Sequence, residues 1–336
     1  RFNDSFSLNL MMLLLFISTL TMFISSLVAS FEYDLKKIIA LSTLSQLGLM
    51  ISMLALNESM LAFFHLLMHA LFKALLFMCA GCLINNLNCQ DIRFMGSLMG
   101  MSMTSCFMNI CSMALCGLPF MSGFYSKDLI LEFMSMNYVS VYVFMIFYLS
   151  VGLTVLYSFR LLYYTMIKDY SGFSYFLIGD LNKKMLKGML GLIMMVIFSG
   201  SLISWLMFPT PYYICLPLFM KLMVVMMLIL GVLIGSFFSM IFYCDKSSTM
   251  KYNKFLYYIC SLLNLNFLFS FGVNYYNLWL GGKFIDLIDQ GWLEYYGSQN
   301  LYLFMKEKTM VLQKIHNNNV MIFLTLILIW IVLLIF

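Results

Sequence analysis

The sequence predicts an all-α, polytopic membrane protein with about 8 transmembrane helices, one of them discontinuous, plus a long amphipathic lateral helix. Three observations predict it. The 336 residues are 63% hydrophobic and 10% charged, with a mean hydropathy of +0.95; soluble domains are about 45–50% apolar and about 25% charged. Apolar runs recur at the length of roughly 20 helical residues that a ~30 Å hydrocarbon core requires. The cations between those runs collect on one side. The net charge of +5 calls for no nucleic-acid partner, only for that placement.

Taken in order, Leu8–Ser30 is the first span and Phe31–Lys37 a charged link. Ile38–Leu56 is the second span. It carries Ser42, Thr43, Ser45 and Gln46, of which Ser42, Ser45 and Gln46 share one helical face. Asn57–Met60 turns into the third span, Leu61–Ile84, and Asn85–Arg93 is a loop of turn formers. Gly96–Asn137 is too long for one straight crossing and is interrupted by CGLPFMSGFYSKD, Cys116–Asp128. Tyr138–Ile167 follows, then a polar loop, Lys168–Lys187. Gly188–Phe208 and Leu216–Tyr243 flank the proline-bracketed PTPYYICLP. A mixed stretch, Cys244–Asn319, precedes a last span, Val320–Phe336. The divisions fall at 1–167, 168–243, 244–319 and 320–336. Arg1 is not an initiator, so the chain reads as lacking its natural start.

Charge placement tests the span count. With Gly96–Asn137 counted as one broken crossing, one side (side A) collects Lys36, Lys37, Arg93, Lys168, Lys183, Lys184, Lys187, Lys246, Lys251 and Lys254. The opposite side (side B) receives little beyond Arg1 and Lys221. This is the asymmetry of the positive-inside rule. Counting the interrupted stretch as two crossings flips every later loop and destroys it.

The third span is the one that its composition does not explain. His65, His69 and Lys73 are spaced four and four. Steps of about 100° per residue put all three on one narrow face, each about 6 Å further along the helix. A lysine at the centre of a membrane helix costs on the order of 2.5–3.5 kcal/mol on insertion scales, so such a residue is kept for a purpose. Histidine titrates near neutral pH and a buried lysine moves toward it, which makes the ladder a candidate proton relay. Two alternatives stand beside it. Histidines at i and i+4 can bind metal, but Leu66 replaces the glutamate of HExxH and no further ligand lies nearby in sequence. The three side chains can also simply bond neighbouring helices.

The interrupted stretch supplies the second candidate. Gly117, Pro119 and Gly123 break hydrogen bonding at membrane depth, which is tolerated only where backbone is buried in protein or faces a cavity. Lys127 and Asp128 follow at once, with Glu132 one turn on. Broken helices with ionisable residues at the break mark ion pathways in transporters, the alternative being a helix end at the membrane interface. Lys37, Ser42, Ser45 and Gln46 are supporting polar groups on the second span; for Ser42, Ser45 and Gln46 helix-to-helix hydrogen bonding stands level with hosting water near the ladder, and for Lys37, at the entrance of the span, the alternative is a topology determinant only. The Cys79–Cys82 pair lacks the partner pair or βαβ setting of redox or zinc motifs and reads as helix packing. In Tyr275–Asn319, charges scattered among Trp279, Leu287, Trp292 and Leu301 suit a helix lying along the membrane, which Gly281, Gly282 and Gly297 could interrupt.

Read together, DLKKIIALSTLSQLGLM, AFFHLLMHALFKALLFMCAG, QDIRFMG and LCGLPFMSGFYSKDLILE closely resemble the subunit 5 family of mitochondrially encoded NADH:ubiquinone oxidoreductase, respiratory complex I. The resemblance is strongest over Asp34–Glu132 and is one of pattern beyond it. It implies a proton-translocating membrane-arm subunit in the mitochondrial inner membrane, with 1–167 as the second of two inverted five-helix repeats. It implies that Lys73, with His65 and His69, forms the central relay and that Lys127 is the lysine at the broken helix near the outer exit, with side A the matrix; Asp128 joins the candidate relay from its place beside Lys127. It implies a lateral helix packed along other membrane-arm subunits. It places NADH, FMN, iron–sulfur clusters and ubiquinone in other subunits, leaving no cofactor, no metal and no redox site in this chain. A stand-alone cation/proton antiporter subunit and a structural membrane-arm anchor are the competing readings.

Overall fold

The chain's four prolines, Pro119, Pro209, Pro211 and Pro217, all fall between helices, where a missing N–H and a fixed φ do no harm. What lies between them is Leu, Met, Phe and Ile in long runs, and it folds as helix. A computed structural model of the chain describes residues 3–97, 100–136, 140–172, 179–180, 182–244, 258–259, 261, 265–317 and 320–336. Arg1, Tyr138, Lys246, Lys251 and Lys254 lie outside the described residues. Among those described there is no strand, only an isolated backbone bridge between Asp34 and Asp91.

The chain divides into two units, Arg1–Leu263 and Asn264–Phe336. The first contains α1 (Leu8–Phe31), α2 (Leu35–Ala55), α3 (Ser59–Leu87), α4 (Ser102–Cys116), α5 (Ser122–Met136), α6 (Val141–Ile167, its last turn a π-helix), α7 (Lys183–Met207) and α8 (Leu218–Cys244). Six of these, α1, α2, α3, α6, α7 and α8, are long and apolar enough to cross a membrane unaided. At 15 residues each, α4 and α5 are not; about 22 Å apiece, they make one crossing between them. Many buried serines and threonines donate back to carbonyls three or four residues earlier, as Ser18 does to Leu15 O and Ser52 to Leu49 O, which satisfies those hydroxyl protons in an apolar setting.

The third helix is longer than expected. It begins at Ser59 and absorbs Asn85, Asn86 and Leu87 before Asn88 stops it in the left-handed region at φ 51°, a conformation asparagine tolerates better than most side chains. This helix is the hub of the unit, packing against α2, α4, α5 and α7. Phe64, Met68, Phe72 and Leu75 on it are at most 1% exposed.

Contacts between links confirm the expected alternation of sides. On side A, Leu35 N donates to Gln90 O and Ile92 N to Tyr33 O, joining the α1–α2 link to the α3–α4 loop. Lys168 Nζ donates to Arg93 O at 3.1 Å. On side B, Asn3 Nδ2 donates to Asn57 Oδ1 at 2.6 Å and the Tyr212 hydroxyl to Glu58 Oε2 at 3.0 Å. Lys168 meets Arg93 only because α4 and α5 together cross once; two crossings would have put them on opposite sides.

The second unit is built from one continuous helix, α9 (265–316), and α10 (Val320–Ile335), which leaves it at 106°. The long helix starts before Tyr275, and neither Gly281, Gly282 nor Gly297 breaks it. Glycine costs only about 1 kcal/mol in a helix relative to alanine, too little to stop propagation from both flanks. The backbone widens instead into π-helical stretches at Leu268–Val273, Ile285–Leu293 and Tyr295–Gln299. At about 1.5 Å per residue, and less in the wider π-helical stretches, it extends roughly 70 Å. None of its described side chains is buried.

Candidate functional site

In α3 the ladder residues face inward: His65 is 1% exposed, His69 8% and Lys73 3%. Neighbouring helices meet them with hydroxyls and an amide. Ser42 Oγ on α2 gives its own proton to Ile39 O at 2.7 Å, leaving a lone pair that accepts from Lys73 Nζ. One turn further, Gln46 Oε1 lies 3.1 Å from His65 Nε2, and Ser126 Oγ on α5 lies 2.9 Å from His65 Nδ1. An amide oxygen can only accept, so Gln46 places the imidazole proton on Nε2 and leaves Nδ1 to accept from Ser126. The Ser126 hydroxyl has a competing acceptor, Gly123 O at 3.3 Å. Its proton can therefore turn between the break and the ladder.

His69 is the loosest rung. Its ring is 6.3 Å from that of His65 and 5.3 Å from Phe72, edge to face, while Nε2 is buried with no hydrogen-bond partner.

The break is built by its own local chemistry. Gly117 ends α4 in the left-handed region at φ 83°, and the amides of Gly117 and Leu118 close back on Ala114 O and Met113 O at 3.2 Å, the Schellman arrangement. Phe120, exposed at 82%, takes a second positive φ of 69°, which turns the chain into α5. Gly123 does not lie in the interruption itself; it sits in the first turn of α5. There a Cβ would stand 1.8 Å from Ala114 O, so glycine allows α5 to press on the end of α4.

That closeness positions Lys127. Its Nζ donates to Thr154 Oγ1 of α6 at 2.9 Å and to Leu115 O at 3.4 Å, a carbonyl freed by the break. A cation at a helix C-terminus also faces the negative end of the helix dipole. Asp128 and Glu132, half-buried one turn apart, line a cavity of about 410 Å³ with Lys127, Cys116 and Lys221. Among the described residues, no group of three His, Cys, Asp or Glu side chains could hold a metal.

Of the supporting residues, Ser42, Gln46 and Ser45 are buried at the ladder, although Ser45 spends its proton on Ser42 O. Lys37 does not join them. It is 63% exposed in an ion pair with Asp34 at 2.7 Å, because it lies a turn nearer the side-A end than Ser42. The sequence reading missed Ser126, Thr154, Tyr157 and Ser158. The last three occupy i, i+3 and i+4 of an apolar helix, the same signal that singled out Ser42–Gln46. It also missed Arg160, 4% exposed, whose guanidinium donates to Ser30 O and Phe31 O at the C-terminal end of α1. Outside the spans, burial lifts Glu32 above the usual carboxylate range despite Lys37 and Arg160 nearby.

Two family descriptions tile the chain. NADH:quinone oxidoreductase/Mrp antiporter, TM, matches residues 2–156, and NADH dehydrogenase subunit 5 C-terminus matches residues 157–336. The chain is 47% identical over 339 residues to NADH-ubiquinone oxidoreductase chain 5 of Anopheles gambiae, covering 99% of this chain and 58% of that one. Over 319 residues it is 46% identical to the Locusta migratoria protein of the same name, covering 94% and 56%. The chain thus spans little more than half the length of these curated relatives. Among solved structures it resembles a chain of the Mrp complex from Dietzia sp. DQ12-45-1b, with TM-score 0.55 and 20% identity over 71% of this chain and 28% of that chain. It also resembles a chain of the membrane-bound sulfane sulfur reductase, an archaeal respiratory membrane complex, with TM-score 0.52 and 22% identity over 68% and 44%. At such identities the likeness is one of fold. The subunit 5 match, by contrast, covers just over half of the chain, and this multi-pass membrane protein belongs to the NADH dehydrogenase subunit 5 family.

Proposed function

We propose that the chain works within a proton-translocating membrane-arm subunit of respiratory NADH:ubiquinone oxidoreductase, in the mitochondrial inner membrane. One observation carries the reading: two buried lysines, Lys73 and Lys127, share one bundle interior with buried groups that can accept and release protons, among them His65 bonded to Ser126, Ser42 beside Lys73 and Thr154 beside Lys127. Protons pass between Lys73 and Lys127 by way of His69, His65 and Ser126. Asp128 and Glu132 receive them at the cavity beside the break. Residues 1–167 act as one antiporter-like five-helix repeat. Electron transfer from NADH to ubiquinone, with its FMN and iron–sulfur clusters, takes place in other subunits and shifts the relay through neighbouring charges. The relatives' names and the fold shared with subunits of membrane complexes support this assignment.

The second unit supports membrane-arm partners. A helix of roughly 70 Å with Trp279, Trp292, Leu301 and Phe304 all more than half exposed needs a surface to cover them. We assign it to sister subunits, with α10 as its anchor in the bilayer. A cation/proton antiporter is the second reading, favoured only by the fold shared with a chain of the Mrp complex.

Lys73→Met in the assembled complex, reconstituted in sealed vesicles, tests the proposal. NADH-driven proton transport is expected to fall at least tenfold with the complex still assembled. Full pumping would exclude the relay, and loss of assembly with normal coupling in what remains would favour a purely structural lysine. Ion transport driven by a cation gradient, without quinone reduction, would favour the antiporter.

A further inference from the structure

We propose that the outer groove along α8, between α4 and α6, seats one membrane phospholipid whose headgroup carries a primary ammonium. Its phosphate meets Lys221, its ammonium meets Asp128 and Glu132, and an acyl chain runs toward Leu233. This goes beyond the relay and stands whether or not protons pass there. Two cavities of about 410 Å³ each lie end to end along α8 and share Cys116, Leu118, Leu228 and Ile229. The first is the one beside the break. The second continues to Leu233, walled by Val155, Phe159 and Leu162 of α6 and Met113 of α4. The hydroxyl that reaches it, from Ser112, is already spent on Asn109 O at 2.8 Å. Leu222, Ile229 and Leu233 are each more than half exposed, so the groove opens outward from the bundle.

Length and charge select the occupant. From Lys221 to Leu233 α8 rises about 18 Å, close to the ~15 Å depth of one leaflet of a ~30 Å hydrocarbon core. At the side-B end, Asp128 and Glu132 of α5 and Lys221 of α8 line one cavity, yet among the described residues no ion pair or hydrogen bond joins their side chains. The Lys127 ammonium is already taken by Thr154 Oγ1 and Leu115 O. The mouth therefore presents a cation and two carboxylates held apart, with apolar wall beyond them. A zwitterionic headgroup answers both charges. The tail by itself selects nothing, because the surrounding lipid is as apolar as the groove; recognition falls to the headgroup. A primary ammonium has three N–H donors for the carboxylates, whereas a quaternary one has none. An anionic headgroup without an ammonium would set its phosphate near Asp128 and Glu132 with nothing to offset the repulsion.

The test supplies the intact, detergent-purified complex with a phosphatidylethanolamine that carries a photoreactive group on one acyl chain, and maps the cross-linked peptides. Labels are expected on residues 222–233 and 113–118. Unlabelled phosphatidylethanolamine should compete about tenfold better than phosphatidylcholine or phosphatidylglycerol, the difference that one charge-assisted hydrogen bond makes. Lys221→Gln should cut labelling by a similar factor. Leu228→Trp fills the groove where the two cavities meet and leaves every charge in place; it should abolish labelling, which keeps the test valid if Lys221→Gln assembles poorly. Asp128→Asn combined with Glu132→Gln should erase the preference for phosphatidylethanolamine over phosphatidylglycerol. Equal competition by all three lipids would overturn the proposal, since the groove would then hold bulk lipid only. A preference for phosphatidylglycerol in the unaltered complex would also overturn it, because the carboxylates would take no part. So would labels on a neighbouring subunit with none on α8, which would mean that protein covers the groove.

Discussion

Lys73 and Lys127 are the same side chain, each 3% exposed, held by opposite means. Lys73 sits mid-way along an unbroken 29-residue helix whose backbone has no spare acceptors, so its ammonium takes a hydroxyl from a neighbouring helix. Lys127 lies beside an interruption that frees a backbone carbonyl, and it combines Leu115 O with Thr154 Oγ1. A cavity of about 410 Å³ opens next to Lys127, whereas Lys73 is enclosed by core side chains and the 20 Å³ cavity behind Ser42. An intact helix makes a cation depend on other helices; a broken one lets the backbone help and makes room for water. The first arrangement suits an internal station, the second a station near an exit.

The largest expected effect comes from closing the gap that the break needs. Gly123→Ala puts a methyl 1.8 Å from Ala114 O. It should destabilise the bundle by about 4 kcal/mol or more, read as lost assembly on native gels. Gly81→Ala on the unbroken α3 meets nothing nearer than Met185 Cε at 3.7 Å and should be tolerated. Equal outcomes would erase the distinction between the two helices.

Next are the hydroxyls. Ser42→Ala strips Lys73 of its partner and should cost about 1–3 kcal/mol, the penalty for an unsatisfied buried donor, with pumping reduced severalfold. Thr154→Val leaves Lys127 the Leu115 carbonyl, so its loss of pumping should be clearly smaller. If Thr154→Val were the more damaging, the carbonyl would not be sharing the charge.

The smallest effect lies outside both lysine environments and serves as their control. Burial raises the Glu32 carboxyl above its unfolded value. A raised carboxyl favours the folded state below the unfolded pKa of roughly 4.3 and loses that contribution as pH climbs through the folded value. At pH 7 the ionised group is therefore a small burden. Glu32→Gln should raise the melting temperature by under about 2 °C at pH 7, since the site is partly open to water, and the gain should vanish near pH 4. A gain that persists there would mean the charge is not its source.

Much of this was readable before folding. His65, His69 and Lys73 share a face because helical geometry is local, and the structure keeps them together. Arg93 and Lys168 meet on side A because positive residues orient the spans. Lys37 stands apart from the ladder in an exposed ion pair with Asp34, a place that fits the topology alternative, because proximity along α2 does not say which way a helix end faces. The α3 end was placed three residues early, since Asn85 and Asn86 read as turn formers but continue the helix. Thr154, Tyr157 and Ser158 were overlooked because three hydroxyls in an apolar helix look like ordinary packing until the neighbour opposite them is known.

Composition, hydrophobic run length and residue spacing, all short-range properties of the chain, were enough for the membrane class, the crossings, the break and the ladder face. Packing alone decided what each buried charge touches. Ser42 reaches Lys73 across 31 residues, Ser126 reaches His65 across 61, and Thr154 reaches Lys127 across 27. Helix periodicity names the face a side chain occupies, but which helix packs against that face depends on how the whole bundle fills its interior.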